Sequence, residues 1–320
     1  MSKINETPNL LPFDDIRALV DDLPGMDVKA ANVFAANARR STDRISEIGM
    51  WMAGWQANTR PGIRRPVVTL FAASHALATN LEDGLQISEV AALVEEIQAR
   101  AGPVAKACGR AELGLKVFEL ALELPVEDFS ATAAMAETDC AATIAYGMEA
   151  TTDGCDLLVV RGVAAGGQAS TAAMTAALLG EDNCPDHRRS PAEIDIVGKA
   201  VATHRSHFSS PLEVLRRLGG REAAAIAGAI MAARMQRVPV VLDGSQAVCV
   251  ALLLDRLRQG LADHCVISGH DMHPDSNRLC KALERPVLLS GRYGDHDATS
   301  GALAASLVKD AMAVFDGGGE

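Results

Sequence analysis

The chain has 320 residues, a net charge of −11, 48% hydrophobic residues and only 3% aromatic residues. Its core must therefore be packed from Ala, Val and Leu, which suits closely spaced helices and buried parallel strands. The negative charge excludes nucleic acid and anionic membrane surfaces as partners, since both would be repelled. Phosphate binding would need a local cradle of backbone N–H groups instead of a basic face.

Before residue 60 the sequence predicts helices only, with helical periodicity over Phe13–Asp22, Val28–Ala38 and Asp43–Gln56. Met50, Trp51, Met52 and Trp55 read as packing surface of the third. Pro66–Phe71 is the first of six short aliphatic runs expected as buried strands. The others are Leu115–Leu120, Asp156–Val160, Val238–Leu242, His264–Ser268 and Pro286–Leu289. Helix-like segments lie between most of them: Ser88–Arg100, Thr171–Leu179, Glu222–Arg234, Gln246–Arg258 and Asp275–Leu283. Thr299–Val314 reads as a closing helix with Thr299 and Ser300 as N-cap candidates.

This alternation predicts an α/β fold: a doubly wound, six-stranded parallel sheet with right-handed crossovers over residues 61–298. Residues 1–60 and 299–320 are expected to form a small helical subdomain beside that Rossmann-like domain. No apolar stretch reaches membrane-spanning length, and Met1–Asp22 lacks the basic start and apolar run of a secretory signal. The seven cysteines (Cys108, Cys140, Cys155, Cys184, Cys249, Cys265 and Cys280) are scattered, odd in number and form no Cys-x-x-Cys pair. That usage fits a reducing compartment, so a cytoplasmic location is expected.

Candidate site residues gather at predicted strand ends, where open α/β sheets bind ligands. Ser74 and His75 follow the first strand. Gly166–Gly167–Gln168–Ala169–Ser170–Thr171 follows the third and opens a helix. Its glycines allow close backbone approach, helix N–H groups are free there, and Ser170 and Thr171 add hydroxyls. The same pattern also describes an ordinary strand-to-helix turn, and it lacks the Gly-x-Gly-x-x-Gly spacing of a dinucleotide site. Asp243, Gly244 and Ser245, and then Ser268, Gly269, His270 and Asp271, occupy two further strand ends. They either line a cleft or shape the following turns and helices. His270 and His273 form a His-x-x-His pair without further ligands, so no metal is expected. Before the last helix, Asp295 and Asp297 are candidates for a general base, or simply favour a turn and a helix N-terminus. His296 reads as solvent-facing.

Four stretches carry a family resemblance. The first is Val67–His75, similar to a strand ending in Phe-Ala-x-Asp-His, with Ser74 where the acid would stand. The second runs from Leu212 through Gly219–Gly220–Arg221–Glu222 to Leu242–Asp243–Gly244. The third is Ile267–Ser268–Gly269–His270 with the helix near Asn277–Leu283, and the fourth is the last strand with Gly291–Gly301. Together they resemble the nicotinate mononucleotide:5,6-dimethylbenzimidazole phosphoribosyltransferases of cobalamin biosynthesis.

The resemblance implies a six-stranded parallel sheet with a helical small domain from both termini, commonly as a homodimer. It implies transfer of phosphoribose from nicotinate mononucleotide to a benzimidazole nitrogen, with no metal or organic cofactor. Gly166, Gly167, Gln168, Ser170 and Thr171, standing where the family has Gly-Ile-Gly-Asn-Thr-Thr, would bind the nucleotide together with Asp243, Gly244, Ser268, Gly269 and His270. Ser74, His75 and Gln86 would bind the base. Asp297 or Asp295 would replace the catalytic Glu of a Gly-Glu-Gly-Ser/Thr-Gly segment.

The chain departs from the family pattern at several points. The Lys-Pro-Pro-Gly-Ser-Leu-Gly-Arg segment is missing between Asn37 and Gln56, and Glu193 lies near an expected basic residue. Two readings therefore compete. One is an active transferase; the other is a noncatalytic family member that binds a nucleotide, a base or a partner subunit.

Overall fold

The computed structural model describes residues 11–38, 43–81, 84–180, 188–294 and 297–315. Cys184, Asp295 and His296 lie outside the described residues. The chain opens with α1 (Pro12–Asp21), α2 (Val28–Asn37) and α3 (Arg44–Gln56). Next come β1 (Pro66–Ser74), α4 (Ile87–Gln98), α5 (Gly102–Ala111), β2 (Gly114–Glu119), α6 (Glu137–Gly147) and β3 (Leu157–Ala165). They are followed by α7 (Gly167–Leu179), α8 (Pro191–His204), α9 (Pro211–Leu218), α10 (Arg221–Met235), β4 (Val240–Leu242) and α11 (Ser245–Leu257). The last elements are β5 (Cys265–Ile267), β6 (His270–Asp271), α12 (Ser276–Leu283), β7 (Arg292–Tyr293) and α13 (Thr299–Ala313).

Local chemistry sets several of these boundaries. Asp27 and Asp43 accept the Ala30 and Ser46 N–H groups at 2.9 and 2.8 Å, capping α2 and α3. Pro191 and Pro211 occupy the first turns of α8 and α9, where a missing N–H costs nothing.

The main sheet is parallel with strand order β2-β1-β3-β4-β5. Side chains alternate across it. Val68, Leu70, Ala72, Val159 and Val163 pack under α3, α4, α5 and α13. Phe71, Ala73, Leu158, Val160 and Ala164 pack under α6, α7, α9, α10 and α11. The sheet is thus wound on both faces, and the strand order reverses beside β1 and β3, where such folds open a crevice at their carboxyl edge.

The expected sixth strand, Pro286–Leu289, is corrected by the structure: the sheet has five strands. That segment touches β5 through a single parallel bridge, Ile267 to Val287. Pro286 has no N–H to donate, so the ladder cannot extend behind it. A separate two-stranded pair, β6 with β7, lies beyond.

The low aromatic content has a structural counterpart at α10, where thirteen of fifteen residues are buried. Its backbone meets that of α6 directly. A Cβ on Gly228 would lie 1.9 Å from the Ile144 carbonyl oxygen, and one on Gly147 would lie 2.0 Å from that of Ala225. At the other side, α13 packs on α3, and the Phe34 and Phe315 rings meet edge to face at 4.9 Å.

Candidate active site

β4 stops at Leu242, level with Val160, whereas β3 continues to Ala165 alongside Ser74 of β1. Residues 161–165 therefore overhang the end of β4 by roughly 16 Å at the usual rise per strand residue. The step holds a cleft of about 490 Å³. Arg161, Gly162, Val163 and Ala164 of the overhang form one wall, with Leu85 against them. The starts of α7 (Gly167, Gln168, Thr171) and α11 (Ser245, Gln246) form another, and Asp243, Gly244, Asp271 and His273 complete the lining. An adjoining depression of about 620 Å³ shares Leu85, Ala164 and Gln168 and extends toward Arg188, Ser190 and Glu193.

Each helix start depends on a glycine. Gly166 precedes α7 with φ 78°, and Gly244 precedes α11 with φ 84°, a region that L side chains rarely adopt. Both helices therefore begin at the cleft with the positive ends of their dipoles toward it. At α11 the Ser245 N–H is already taken by the Asp271 carboxylate, whereas α7, among the described residues, begins without such a carboxylate on its first turn.

Charge in the cleft is organised around two carboxylates. Asp243 accepts the Ser268 hydroxyl at 2.7 Å and the Ser300 hydroxyl at 2.6 Å, and pairs with the Arg161 guanidinium at 3.3 Å. Asp271 accepts the Ser245 hydroxyl at 2.5 Å and the His273 N–H at 3.2 Å. His273 spends both ring nitrogens: Nδ1 accepts the Asp275 N–H at 3.1 Å, so Nε2 carries the proton facing the Gln168 carbonyl at 3.2 Å. Beneath the cleft, Glu222 is fully buried with His75 Nε2 at 3.0 Å and Gln246 Nε2 at 2.8 Å from the same carboxylate oxygen. Burial pushes the Glu222 carboxyl up, yet the His75 charge and hydrogen bond, its own N–H and Gln246 outweigh that and hold it below its ordinary value.

The structure brings Gly167, Gln168, Thr171, Asp243 and Gly244 together in the cleft wall, and Gly166 into the adjoining depression. Ser268 reaches the cleft through Asp243. Ser170 is buried and donates to the Leu218 carbonyl at 2.7 Å, while Thr171 donates to that of Gly167 at 2.9 Å. Gly269 lies against the Tyr293 ring, and His270 pairs with Arg292 between β6 and β7. Ser74 donates to the Leu122 carbonyl at 2.7 Å. Gln86 donates to the carbonyls of Leu81 and Gly84, both at 3.1 Å, fixing the loop that carries Leu85. Asp297 accepts the Thr299 N–H at 3.0 Å and hydroxyl at 2.8 Å in the turn that opens α13.

Asp271 is among the strand-end candidates, but Arg161, Glu222 and Gln246 are not read as site residues in the sequence. The available signal was a lone arginine inside an apolar strand run and a glutamate opening a buried alanine-rich helix. Such charges are almost never buried unpaired.

An open parallel sheet with two helix starts and a buried Arg161–Asp243 pair at its carboxyl edge defines a doubly wound α/β protein with its cleft at the point where the strand order reverses. A family model described as phosphoribosyltransferase matches residues 27–318. The chain is 40% identical to the nicotinate-nucleotide–dimethylbenzimidazole phosphoribosyltransferase of Sinorhizobium medicae, covering 96% of this chain and 95% of that one. The enzyme of the same name from Allorhizobium ampelinum is also 40% identical, over 96% and 94%. The chain belongs to the nicotinate-nucleotide–dimethylbenzimidazole phosphoribosyltransferase family. A crystal structure of that name from Thermus thermophilus matches with a TM-score of 0.77 at 23% identity, over 95% of each chain. At that identity the likeness is one of fold.

Proposed function

We propose that this chain transfers the phosphoribosyl group of nicotinate mononucleotide to 5,6-dimethylbenzimidazole or a related base, giving α-ribazole 5′-phosphate and nicotinate. Family membership sets the reaction class, and one observation carries it to this cleft. The start of α7 with Arg161 nearby, and the apolar side chains of Val163, Ala164 and Leu85, share one space beside the sheet edge.

The chemistry asks for positioning more than for activation. The C1′–N bond to the pyridinium breaks and its electron pair neutralises the ring, so nicotinate leaves readily. The lone pair of the incoming nitrogen forms the new C1′–N bond, and the azole N–H proton is then lost to a base. In this reading the phosphate lies on the N–H groups of Gly167 and Gln168, with Gly166 and Thr171 shaping the approach and Ser170 anchoring the helix behind them. Asp243, Gly244 and Ser268 border the ribose, with Gly269 and His270 beyond. Ser74, His75 and Gln86 support the base side from beneath. Asp297 is the proposed proton acceptor, with Asp295 the alternative. Ser300, in the first turn of the same helix start, is tied to the cleft through Asp243. No resident cofactor takes part, and the working form is a cytoplasmic homodimer.

The test mixes purified protein with nicotinate mononucleotide and dimethylbenzimidazole and follows products by chromatography. Nicotinate and α-ribazole phosphate are expected in equal amounts, with turnover sharply reduced in Asp297→Asn if that carboxylate is the base. Nicotinate released alone would make the protein a hydrolase, and no turnover with any benzimidazole would end the transferase reading.

A further inference from the structure

Gln246 stands in the first turn of α11, 9% exposed, and its orientation is dictated from below. Its Nε2 donates to Glu222 Oε1 at 2.8 Å, and His75 Nε2 faces that same oxygen at 3.0 Å. A carboxylate oxygen only accepts hydrogen bonds, so the amide must turn its NH₂ group inward and its carbonyl away. That carbonyl points at the overhang of β3. Oε1 lies only 1.8 Å from the position a Cβ on Gly162 would take, so the amide uses space that only glycine leaves free. Among the described residues no donor is placed on Oε1. A hydrogen-bond acceptor is thus fixed in the cleft wall at the edge of a strip of apolar side chains, those of Val163, Ala164 and Leu85.

We propose that Gln246 is a specificity-determining and positioning residue whose side-chain carbonyl accepts the N–H of the incoming azole. The inference rests on the reaction proposed above and names a contact for its second substrate. The strip suits a flat heteroaromatic ring, whereas the phosphate is drawn to the start of α7 at the other end of the cleft. In a 1,3-diazole the two nitrogens point away from each other. Holding the N–H on Gln246 therefore turns the other nitrogen, with its in-plane lone pair, toward C1′. An amide carbonyl is too weak a base to remove the proton, so Gln246 orients the ring and leaves deprotonation to a carboxylate. Glu222 and His75 act through it by preventing the amide from turning over.

The test compares benzimidazole with benzoxazole, which keeps the outline and the ring nitrogen but has oxygen in place of the N–H. Isothermal titration calorimetry at about pH 8 measures binding of each to wild type and to Gln246→Met, with no turnover needed. Wild type is expected to bind benzimidazole roughly tenfold more tightly, the value of one neutral hydrogen bond. Gln246→Met is expected to bind both alike, with kcat for benzimidazole reduced and the KM for nicotinate mononucleotide unchanged within about twofold. Equal binding of the two bases by wild type would overturn the inference without any variant. So would a tenfold preference that survives in a folded Gln246→Met protein, and so would failure of benzimidazole to bind. The preference seen in wild type and lost in Gln246→Met, with no transferase turnover, would keep the contact and reject the reaction. Turnover without the preference would do the reverse.

Discussion

The Ser300 hydroxyl donates to Asp243 Oδ1 at 2.6 Å, tying the first turn of α13 to the residue that follows β4. Asp243 also takes the Ser268 hydroxyl at 2.7 Å and pairs with Arg161 at 3.3 Å. One buried carboxylate thereby gathers β3, β4, the end of β5 and the last helix at the cleft. Gly301 completes the junction, since a Cβ there would lie 2.5 Å from Val159 Cγ1 and 2.9 Å from Asp243 Cβ.

Removing that carboxylate should cost more than removing any of its neutral partners. Asp243→Ala removes one buried ion pair with Arg161 and the acceptor of two buried hydroxyls together, and is expected to destabilise by about 3 kcal/mol or more. Ser300→Ala removes one neutral donor and should cost about 1 kcal/mol. Urea denaturation of the two variants checks the ordering, which would be refuted by equal losses.

Arg161 supplies the positive side chain of the cleft wall formed by the overhang. Arg161→Gln is expected to raise the KM for nicotinate mononucleotide by roughly 10- to 100-fold, the scale of a charge-assisted contact in a desolvated site. The affinity for the free base should hardly change. Initial-rate kinetics with each substrate varied in turn distinguishes the two effects.

The helix crossing of α6 and α10 leaves no room for a methyl group. Gly228→Ala must separate backbones now in contact, and overpacking of this kind costs about 1–3 kcal/mol. Gly198→Ala, on α8 with nothing within 4 Å of its Cβ position, is expected to be neutral or slightly stabilising. A thermal melt of both variants tests the contrast.

His264 gives stability a specific pH dependence. Burial, helped by Arg234, pushes its pKa down to about 3, while an exposed imidazole titrates near 6.5. Between those values the unfolded chain holds a proton that the native chain does not, so stability falls as pH drops from about 6.5 toward 3. The slope from this one group approaches ~1.4 kcal/mol per pH unit. His264→Gln keeps a donor for the Ile230 carbonyl, now met by Nε2 at 3.0 Å, and cannot titrate. Urea midpoints from about pH 4.5 to 7 should show a shallower slope in the variant, by about one proton. Parallel slopes would show that His264 does not carry this term.

The strands were legible because buried parallel strands are continuous aliphatic runs, and the turns at Gly166 and Gly244 because only glycine suits their backbone. Other features resisted for physical reasons. Gly102 and Gly109 dilute the helical signal of α5, and the Thr, Ala and Cys of α6 give it little periodicity, since its packing is decided by α10. β3 reads as ending at Val160 because Arg161 and Gly162 look like a strand terminus. The strand continues because β1 runs beside it to Ser74 and because Asp243, 82 residues later in the chain, neutralises the arginine. No local window contains that partner. The same holds for Glu222, whose companions His75 and Gln246 are 147 and 24 residues away.

The overhang of β3 has one further consequence. Main-chain groups of successive strand residues face opposite neighbours. The carbonyl of Ala165 serves His75 on the β1 side, and that of Val160 serves Asp243 on the β4 side. By that alternation Gly162 and Ala164 turn their N–H and C=O groups toward the cleft, past the point where β4 has stopped. A molecule seated there would meet main-chain donors and acceptors that no side-chain substitution deletes. Substitutions around this cleft would change its side chains and leave that main-chain edge in place.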